Sequence, residues 1–119
     1  MSMKNIPHES AIKHVSGKSV YIDDIAVNNE LLIGHVVYSS HAHAKIKSID
    51  ISEAKKLKGV HAVLSWKDIP GHNQMGPVVH DEVCLAKDEV VCIGQAIILI
   101  AADTEEIARH AETLIWIDF

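Results

Sequence analysis

Two segments of the chain carry the same order of strand-like and helix-like patterns, and this repeat limits the fold more than any other feature. In the first segment, residues 44–64, two apolar stretches predict strands on either side of a short helix. In the second segment, a buried strand over Ala96–Ala101 precedes helical spacing of apolar residues and a final strand over Leu114–Phe119. The repeat predicts a mixed sheet of α+β (mixed α/β) class with two β-α-β units.

Local signals set the limits of the two predicted helices. Ser52 is a good N-cap for the first helix, and Gly59 stands where a left-handed residue beyond a helix C-terminus is expected. Asp103 and Glu106 form a variant of the capping box at the start of the second helix. The first helix is therefore predicted to be short, with an extended segment on each side.

Two of the predicted strands depart from simple alternation. Leu31–Ser39 is apolar on both faces and rich in β-branched and aromatic residues, which predicts a central strand. Within residues 44–51 the apolar alternation changes phase between Ile46 and Ile49. A β-bulge near Lys47-Ser48 would explain this change, and we expect one there.

Two other segments lack a sustained period. Residues 1–19 are expected to form an N-terminal arm, with one helical turn before Gly17, and residues 20–119 are expected to form a single domain. Residues 66–89 contain the breaker pairs Pro70-Gly71 and Gly76-Pro77 and predict a long ordered loop or two short turns. Loops of this length inside compact domains are usually functional or bound to a partner.

Composition and charge argue against several classes of partner. The 119 residues carry a net charge of −5 and a pI near 5.9, the wrong sign for binding nucleic acid or anionic lipid. The longest nearly apolar run, Val90–Ala102, is shorter than the roughly 20 residues of a membrane-spanning helix. The N-terminus lacks the apolar stretch of a secretory signal. We therefore expect no nucleic acid partner, no membrane partner and a cytoplasmic location.

The residue patterns indicate no active site. His41 and His43 would project from the same face of an extended segment, but no third ligand stands at recognisable spacing, so a structural role is predicted and no metal site is assigned. Cys84 and Cys92 lie in otherwise apolar segments and are predicted to be buried free thiols. No glycine-rich phosphate loop follows a strand, and the serines lack a nucleophile context. No catalytic, cofactor-binding or metal-binding residue is therefore predicted.

Five short motifs, in this order and with matching gaps, resemble the start of the molybdenum-binding subunit of xanthine dehydrogenase, in the molybdenum hydroxylase and aldehyde oxidase family. The motifs are His14-Val15-Ser16-Gly17, Tyr21-Ile22-Asp23-Asp24, His41-Ala42-His43-Ala44-Lys45-Ile46, Asp68-Ile69-Pro70-Gly71-His72-Asn73 and Gly76-Pro77-Val78-Val79-His80-Asp81-Glu82. The resemblance covers about residues 8–119. The chain has Lys58 and Ala96 where this family often has proline.

The resemblance implies a fold and a place in a larger enzyme. The fold would be the α/β hammerhead domain that precedes the domains holding molybdopterin, the molybdenum cofactor. The parent would be an oxidoreductase that oxidises purines, related heterocycles or aldehydes with water as the oxygen source. Its partners would be the remaining molybdenum-binding domains, with iron–sulfur clusters and FAD in partner domains or subunits. The family's base and cofactor loops match no position of this chain, so the chain alone is expected to be inactive.

The resemblance also implies one set of site residues. In the family, the stretch matching Gly76, Pro77, Val78 and Val79 lies beside the channel that leads substrate to the molybdenum centre. Two alternatives remain open. One is a free-standing α+β binding module with a ligand or metal at His41 and His43, and the other is a scaffold domain without a ligand. As a fragment, the chain is also expected to self-associate through apolar faces.

Overall fold

The computed structural model describes residues 8–25 and 31–119. The chain divides into two compact units, residues 1–30 and 31–119. The predicted division between an arm of residues 1–19 and a domain of residues 20–119 stays a prediction.

The described part of the first unit is a short helix followed by a turn. Helix α1 spans Ala11–Val15, and Gly17 follows it with a φ of 69°. A 3-10 turn then covers Ile22–Asp24. His14 Nδ1 lies 3.1 Å from the Tyr21 hydroxyl, which joins the helix to the turn. The predicted helical turn before Gly17 is confirmed.

The second unit contains seven short strands and two helices. In chain order they are β1 (Ile33–Tyr38), β2 (Ala44–Lys45), β3 (Ser48–Asp50), α2 (Ser52–Lys56), β4 (Val60–Leu64), β5 (Glu89–Val90), β6 (Ala96–Ala102), α3 (Glu105–Thr113) and β7 (Trp116–Asp118). A 3-10 turn at Trp66–Asp68 follows β4 and opens the long predicted loop. No helix within residues 8–25 or 31–119 has the length and apolar character needed to cross a bilayer.

The strands form three small sheets. One sheet has the order β1-β6-β4, and the others are the pairs β2-β5 and β3-β7. Helix α2 leads from β3 to β4, and α3 leads from β6 to β7, so each strand-helix-strand unit contributes to two sheets. The α+β class and the repeated element order are confirmed. The strand pairs of the described residues are antiparallel rather than mixed. Parallel neighbours in one sheet need crossovers of a dozen or more residues, which the connection through α2 does not provide.

The core lies between the three-stranded sheet and α3. Strand β6 is central, and its Ile98 and Ile100 pair with Val37 and His35 of β1. The His35 ring meets Glu112 of α3 at 2.7 Å, so this face of the sheet is the one toward the helix. The largest fully buried side chains are Ile97, Ile98, Ile100, Val63 and Val90. Strand β1 was predicted to be central but is an edge strand. The central strand is β6, which lies much later in the chain and pairs with both β1 and β4.

The segment over residues 44–51 changes sheet rather than forming a bulge. Strand β2 pairs with β5, whereas β3 pairs with β7. Between them, Ile46 N–H donates to the Asp88 carbonyl and Lys47 N–H donates to the Asp118 carbonyl, at 2.9 and 2.8 Å. The predicted bulge at Lys47-Ser48 is therefore wrong. The apolar phase changes because the chain leaves one sheet and joins another.

The side chains that accept hydrogen bonds at the starts of α2 and α3 lie one or two residues from the predicted caps, and the residue directly before α2 is Ile51. Asp50 Oδ1 accepts from the Ser52 N–H at 2.9 Å, and hydrogen bonds from Ser52 hold the pKa of Asp50 below its ordinary value. Thr104 Oγ1 accepts from the Ile107 N–H at 3.3 Å, while Asp103 bonds His61 instead. Neighbouring residues of equal capping ability cannot be separated by sequence. The left-handed glycine is confirmed, since Gly59 has a φ of 88°.

Candidate functional site

The long loop is folded back on itself by hydrogen bonds. Asn73 Nδ2 donates to the Leu85 carbonyl at 2.7 Å, and Asn73 Oδ1 accepts from the Leu85 N–H at 2.9 Å. Two residues further on, the Met75 N–H donates to the Glu82 carbonyl at 2.8 Å. These three bonds join the two limbs of the loop and confirm its prediction as an ordered segment.

The tip of the loop contains all four residues that the resemblance assigns to a channel. Gly76 is buried, and a Cβ added to it would lie 1.8 Å from the Val79 carbonyl oxygen. This approach is possible only without a side chain, so Gly76 is required for the tight tip. Pro77 follows and restricts the backbone further. Val78 and Val79 project outward, 87% and 63% exposed.

A cavity of about 890 Å³ lies at the base of this tip. The loop side of its wall includes Asn73, Met75, Val83 and Cys84. The four predicted channel residues are not among its lining residues. This cavity therefore gives no support to their assignment to a channel. The assignment concerns the surface of the loop tip and stays a prediction.

Another part of the cavity wall is a turn held by one side-chain and two backbone hydrogen bonds. Gln95 Oε1 accepts from the Val91 N–H at 2.7 Å. The Gly94 N–H donates to the Ser39 carbonyl at 2.8 Å, and the Ser39 N–H donates to the Gln95 carbonyl at 2.9 Å. Gly94 has a φ of 84°, so the turn uses the left-handed region that favours glycine. Each wall therefore includes a side-chain amide, of Asn73 or of Gln95, that bonds the backbone, and no sequence pattern predicts either bond.

The lining of the cavity combines apolar groups with exposed acids. Met75, Val83 and Val91 supply apolar surface, and each is also exposed to solvent at the rim. The acidic residues Asp81, Glu82, Asp88 and Glu89 also line the cavity. The Lys87 ammonium lies 4.9 Å from the centre of the Trp66 ring. This lining can contact an apolar or cationic group.

The two cysteines also line the cavity, as free thiols. Cys84 is half-buried, whereas Cys92 is exposed. The prediction of buried thiols is therefore wrong for Cys92, because the apolar segment around it is a surface turn rather than a strand.

The histidines considered as a ligand pair each have a partner of their own. His43 Nε2 lies 3.3 Å from Glu89 Oε2 across the β2-β5 pair. The centre of the His41 ring lies 4.3 Å from the centre of the Phe119 ring, with the planes tilted by 33°, and the His41 backbone N–H donates to Ser39 Oγ. Across residues 8–25 and 31–119, no three His, Cys, Asp or Glu side chains form a group that could hold a metal ion.

The comparisons with known proteins agree with this geometry. The family model described as aldehyde oxidase and xanthine dehydrogenase, a/b hammerhead domain, matches residues 16–119. The chain belongs to this family. The match includes all of the second unit, with the loop and the cavity.

Two similar relatives are much longer than this chain. A xanthine dehydrogenase of Calliphora vicina is 46% identical over 114 residues, which cover 94% of this chain and 8% of that protein. A xanthine dehydrogenase/oxidase of Mus musculus is 48% identical over 107 residues, which cover 89% of this chain and 8% of that protein. The chain thus spans about 8% of the length of these curated relatives.

Solved structures show the same fold. The aldehyde oxidoreductase of Desulfovibrio desulfuricans has a TM-score of 0.82 at 30% identity, and the match covers 95% of this chain and 14% of that one. A CO dehydrogenase of Oligotropha carboxidovorans has a TM-score of 0.79 at 35% identity, with the same coverage of 95% and 14%. The predicted α/β hammerhead fold is therefore confirmed.

Proposed function

We propose that this hammerhead domain serves a xanthine-dehydrogenase-type molybdenum hydroxylase that oxidises purines, related heterocycles or aldehydes. Its role there is structural, and the loop tip Gly76–Val79 forms part of the wall of the substrate channel. Support comes from the family and from the relatives, whose names are those of xanthine dehydrogenases. We propose that the protein acts in the cytoplasm and in purine metabolism.

The observation that carries the channel role is the presentation of Val78 and Val79. Both side chains are largely exposed, at the end of a loop whose limbs are joined by hydrogen bonds. Exposed apolar side chains on a stiff support suit a surface that a flat heterocycle passes, because such passages are mostly apolar and preformed.

The cofactors of the proposed enzyme lie outside this chain. Its described residues supply no group of metal-ligating side chains, and no step of the reaction is assigned to them. Molybdopterin would be held by the remaining molybdenum-binding domains, and the iron–sulfur clusters and FAD by partner domains or subunits. We therefore propose that the isolated chain has no turnover of hypoxanthine or xanthine and binds no stoichiometric molybdenum.

The channel role is tested by enlarging one tip residue in the assembled enzyme. Val79→Trp narrows the passage, so kcat/KM falls more for bulky heterocycles than for small aldehydes. The measurement is the ratio of kcat/KM for a large and a small substrate, in enzyme of equal molybdenum content. Val15→Trp is the matched control, because Val15 is 88% exposed and lies outside the loop.

The competing role is packing against another domain. In that case Val79→Trp lowers the melting temperature of the assembled enzyme and leaves the substrate ratio unchanged. An unchanged ratio in fully loaded enzyme would remove Val79 from the channel wall.

We also propose that the isolated chain self-associates. Trp116 is 71% exposed on β7, and Leu99 and Leu64 are about two-fifths exposed on the sheet face away from α3. Val91 and Ile93, in the turn before β6, are also exposed, whereas most side chains of β6 itself are buried. Exposed apolar patches favour association. Light scattering at increasing concentration tests this, and a monomer at every concentration would contradict it.

A further inference from the structure

We propose that Asn73 is a positioning residue for the channel wall, because its side-chain amide holds the loop limb that carries Val78 and Val79. This inference rests on the proposed function of the tip. Asn73 does not itself reach the tip, so it would act through the backbone of the loop.

The geometry of Asn73 is that of a backbone pairing made by a side chain. Its amide donates to the Leu85 carbonyl and accepts from the Leu85 N–H, at 2.7 and 2.9 Å. Asparagine can do this because one amide carries both a donor and an acceptor. Aspartate of the same size would lack the donor, and leucine would lack both groups.

Leu85 connects this amide to the core. Its side chain is 3% exposed, and the N–H of the adjacent Ala86 donates to the Ala96 carbonyl of β6 at 2.8 Å. Strand β6 is the central strand of the three-stranded sheet. The position of Asn73 is therefore set by the most buried strand of the unit.

Little else holds the limb that follows Asn73. Of residues 69–84, all of which the structure describes, only Gly76 is buried. The other bond across the loop runs from the Met75 N–H to the Glu82 carbonyl. Without Asn73, this single bond would have to hold the tip against the conformational entropy of the loop. Loss of the Asn73 side-chain amide should therefore weaken the hydrogen bond between Met75 and Glu82 and increase the motion of the tip.

Hydrogen exchange on the 119-residue chain tests the clamp without any enzyme activity. In Asn73→Leu, we expect the Met75 amide to exchange about tenfold faster, although Met75 makes no bond to Asn73, while the Ile98 and Ile100 amides of β6 keep their rates. Asn73→Asp retains the acceptor for the Leu85 N–H and should give a smaller change in the same direction. Should Asn73→Leu fail to fold, Asn73→Asp provides the measurement. Unchanged exchange at Met75 would overturn the inference.

The second measurement uses the assembled enzyme with full cofactor content. We expect Asn73→Asp to change the ratio of kcat/KM for bulky and small substrates by about tenfold, with little change in kcat for the small one. If Val79→Trp changes the ratio and Asn73→Asp does not, the positioning role is wrong and the channel wall stands. If neither variant changes the ratio, the channel wall itself is wrong.

A local side-chain clamp at the start of the loop provides the control. Asp68 Oδ2 accepts from the Ser65 N–H at 2.7 Å and from the Ser65 hydroxyl at 3.0 Å, in the 3-10 turn that opens the loop. Asp68→Ala removes two local hydrogen bonds and leaves the limb beyond Asn73 attached. It should change neither Met75 exchange nor the substrate ratio. If Asp68→Ala changed Met75 exchange and the substrate ratio as much as the Asn73 variants do, a general loss of loop stability would explain both effects. That outcome would overturn the inference.

Discussion

The framework of the second unit and its loop are held together by different means. The framework, strands β1, β4 and β6 with helices α2 and α3, contains the buried side chains Ile98, Ile100 and Val63. Within the loop, residues 69–84 bury only Gly76 and depend on polar contacts. The framework is stabilised by many apolar contacts within one core, so the loss of one buried side chain lowers the free energy of unfolding of the whole unit. Losing one contact in the loop should release a local segment instead.

The largest expected effect is in the framework. Ile98→Ala leaves a cavity under α3, and we expect the free energy of unfolding to fall by about 2–5 kcal/mol. Leu99→Ala is the control on the other face of β6, where the side chain is 38% exposed, and should cost about 1 kcal/mol. Urea denaturation of both variants checks this. An equal loss of unfolding free energy in the two variants would mean that the two faces of β6 are equally buried.

The next effect separates local from global stability. Gly76→Ala places a Cβ against the Val79 carbonyl oxygen, and the strain should cost about 1–3 kcal/mol, expressed as opening of the tip. Faster limited proteolysis within residues 74–82, at a nearly unchanged urea midpoint, is the expected result. Gly71→Ala is the control, because its added Cβ meets nothing within 4 Å. A large shift of the urea midpoint in Gly76→Ala would contradict the separation of loop and framework.

A smaller effect concerns the polar contact between β1 and α3. His35 Nε2 and Glu112 Oε2 lie 2.7 Å apart, with side chains 24% and 41% exposed. Partial exposure screens this pair, so Glu112→Gln should cost less than about 1 kcal/mol in a thermal melt. The control is Glu105→Gln, whose partner Arg109 lies on the same exposed helix face, and a smaller loss is expected there. A loss of several kcal/mol in Glu112→Gln would show that the framework depends on single polar contacts as well.

The smallest effect is the charge that caps α2. Hydrogen bonds from Ser52 lower the pKa of Asp50 in the folded state, so the ionised carboxylate adds stability above its unfolded pKa of about 3.8. This contribution disappears as the pH falls through the lower folded pKa. Asp50→Asn should therefore be slightly less stable than the parent at pH 7, and the difference should shrink below pH 3.8 and vanish below the lower folded pKa. Thermal melts across this range test it, and a difference that grows in acid would contradict it.

Much of the framework could be predicted because local patterns and burial agree there. The continuous apolar run of β6 predicted a buried strand, and Gly59 was recognised by its place after the helix. The candidate site was harder to predict from the sequence. The Gly76-Pro77 pair predicted a turn, but nothing in the sequence shows that a Cβ on Gly76 would meet Val79. Asn73 lies in a segment rich in turn residues, where asparagine usually bonds its own backbone rather than a residue twelve positions away.

The sequence by itself determined the order of the longer strands and of α2 and α3, the place of the loop and the turn at Gly76-Pro77, because these follow from periodicity and from the backbone limits of glycine and proline. Only the tertiary structure decided which strands pair. It put β6 in the middle and β1 at an edge, and it divided residues 44–51 between two sheets. The pairing of Asn73 with Leu85 was decided in the same way. Strand pairing depends on which distant segments pack into one core, and a local sequence pattern contains no information about that packing.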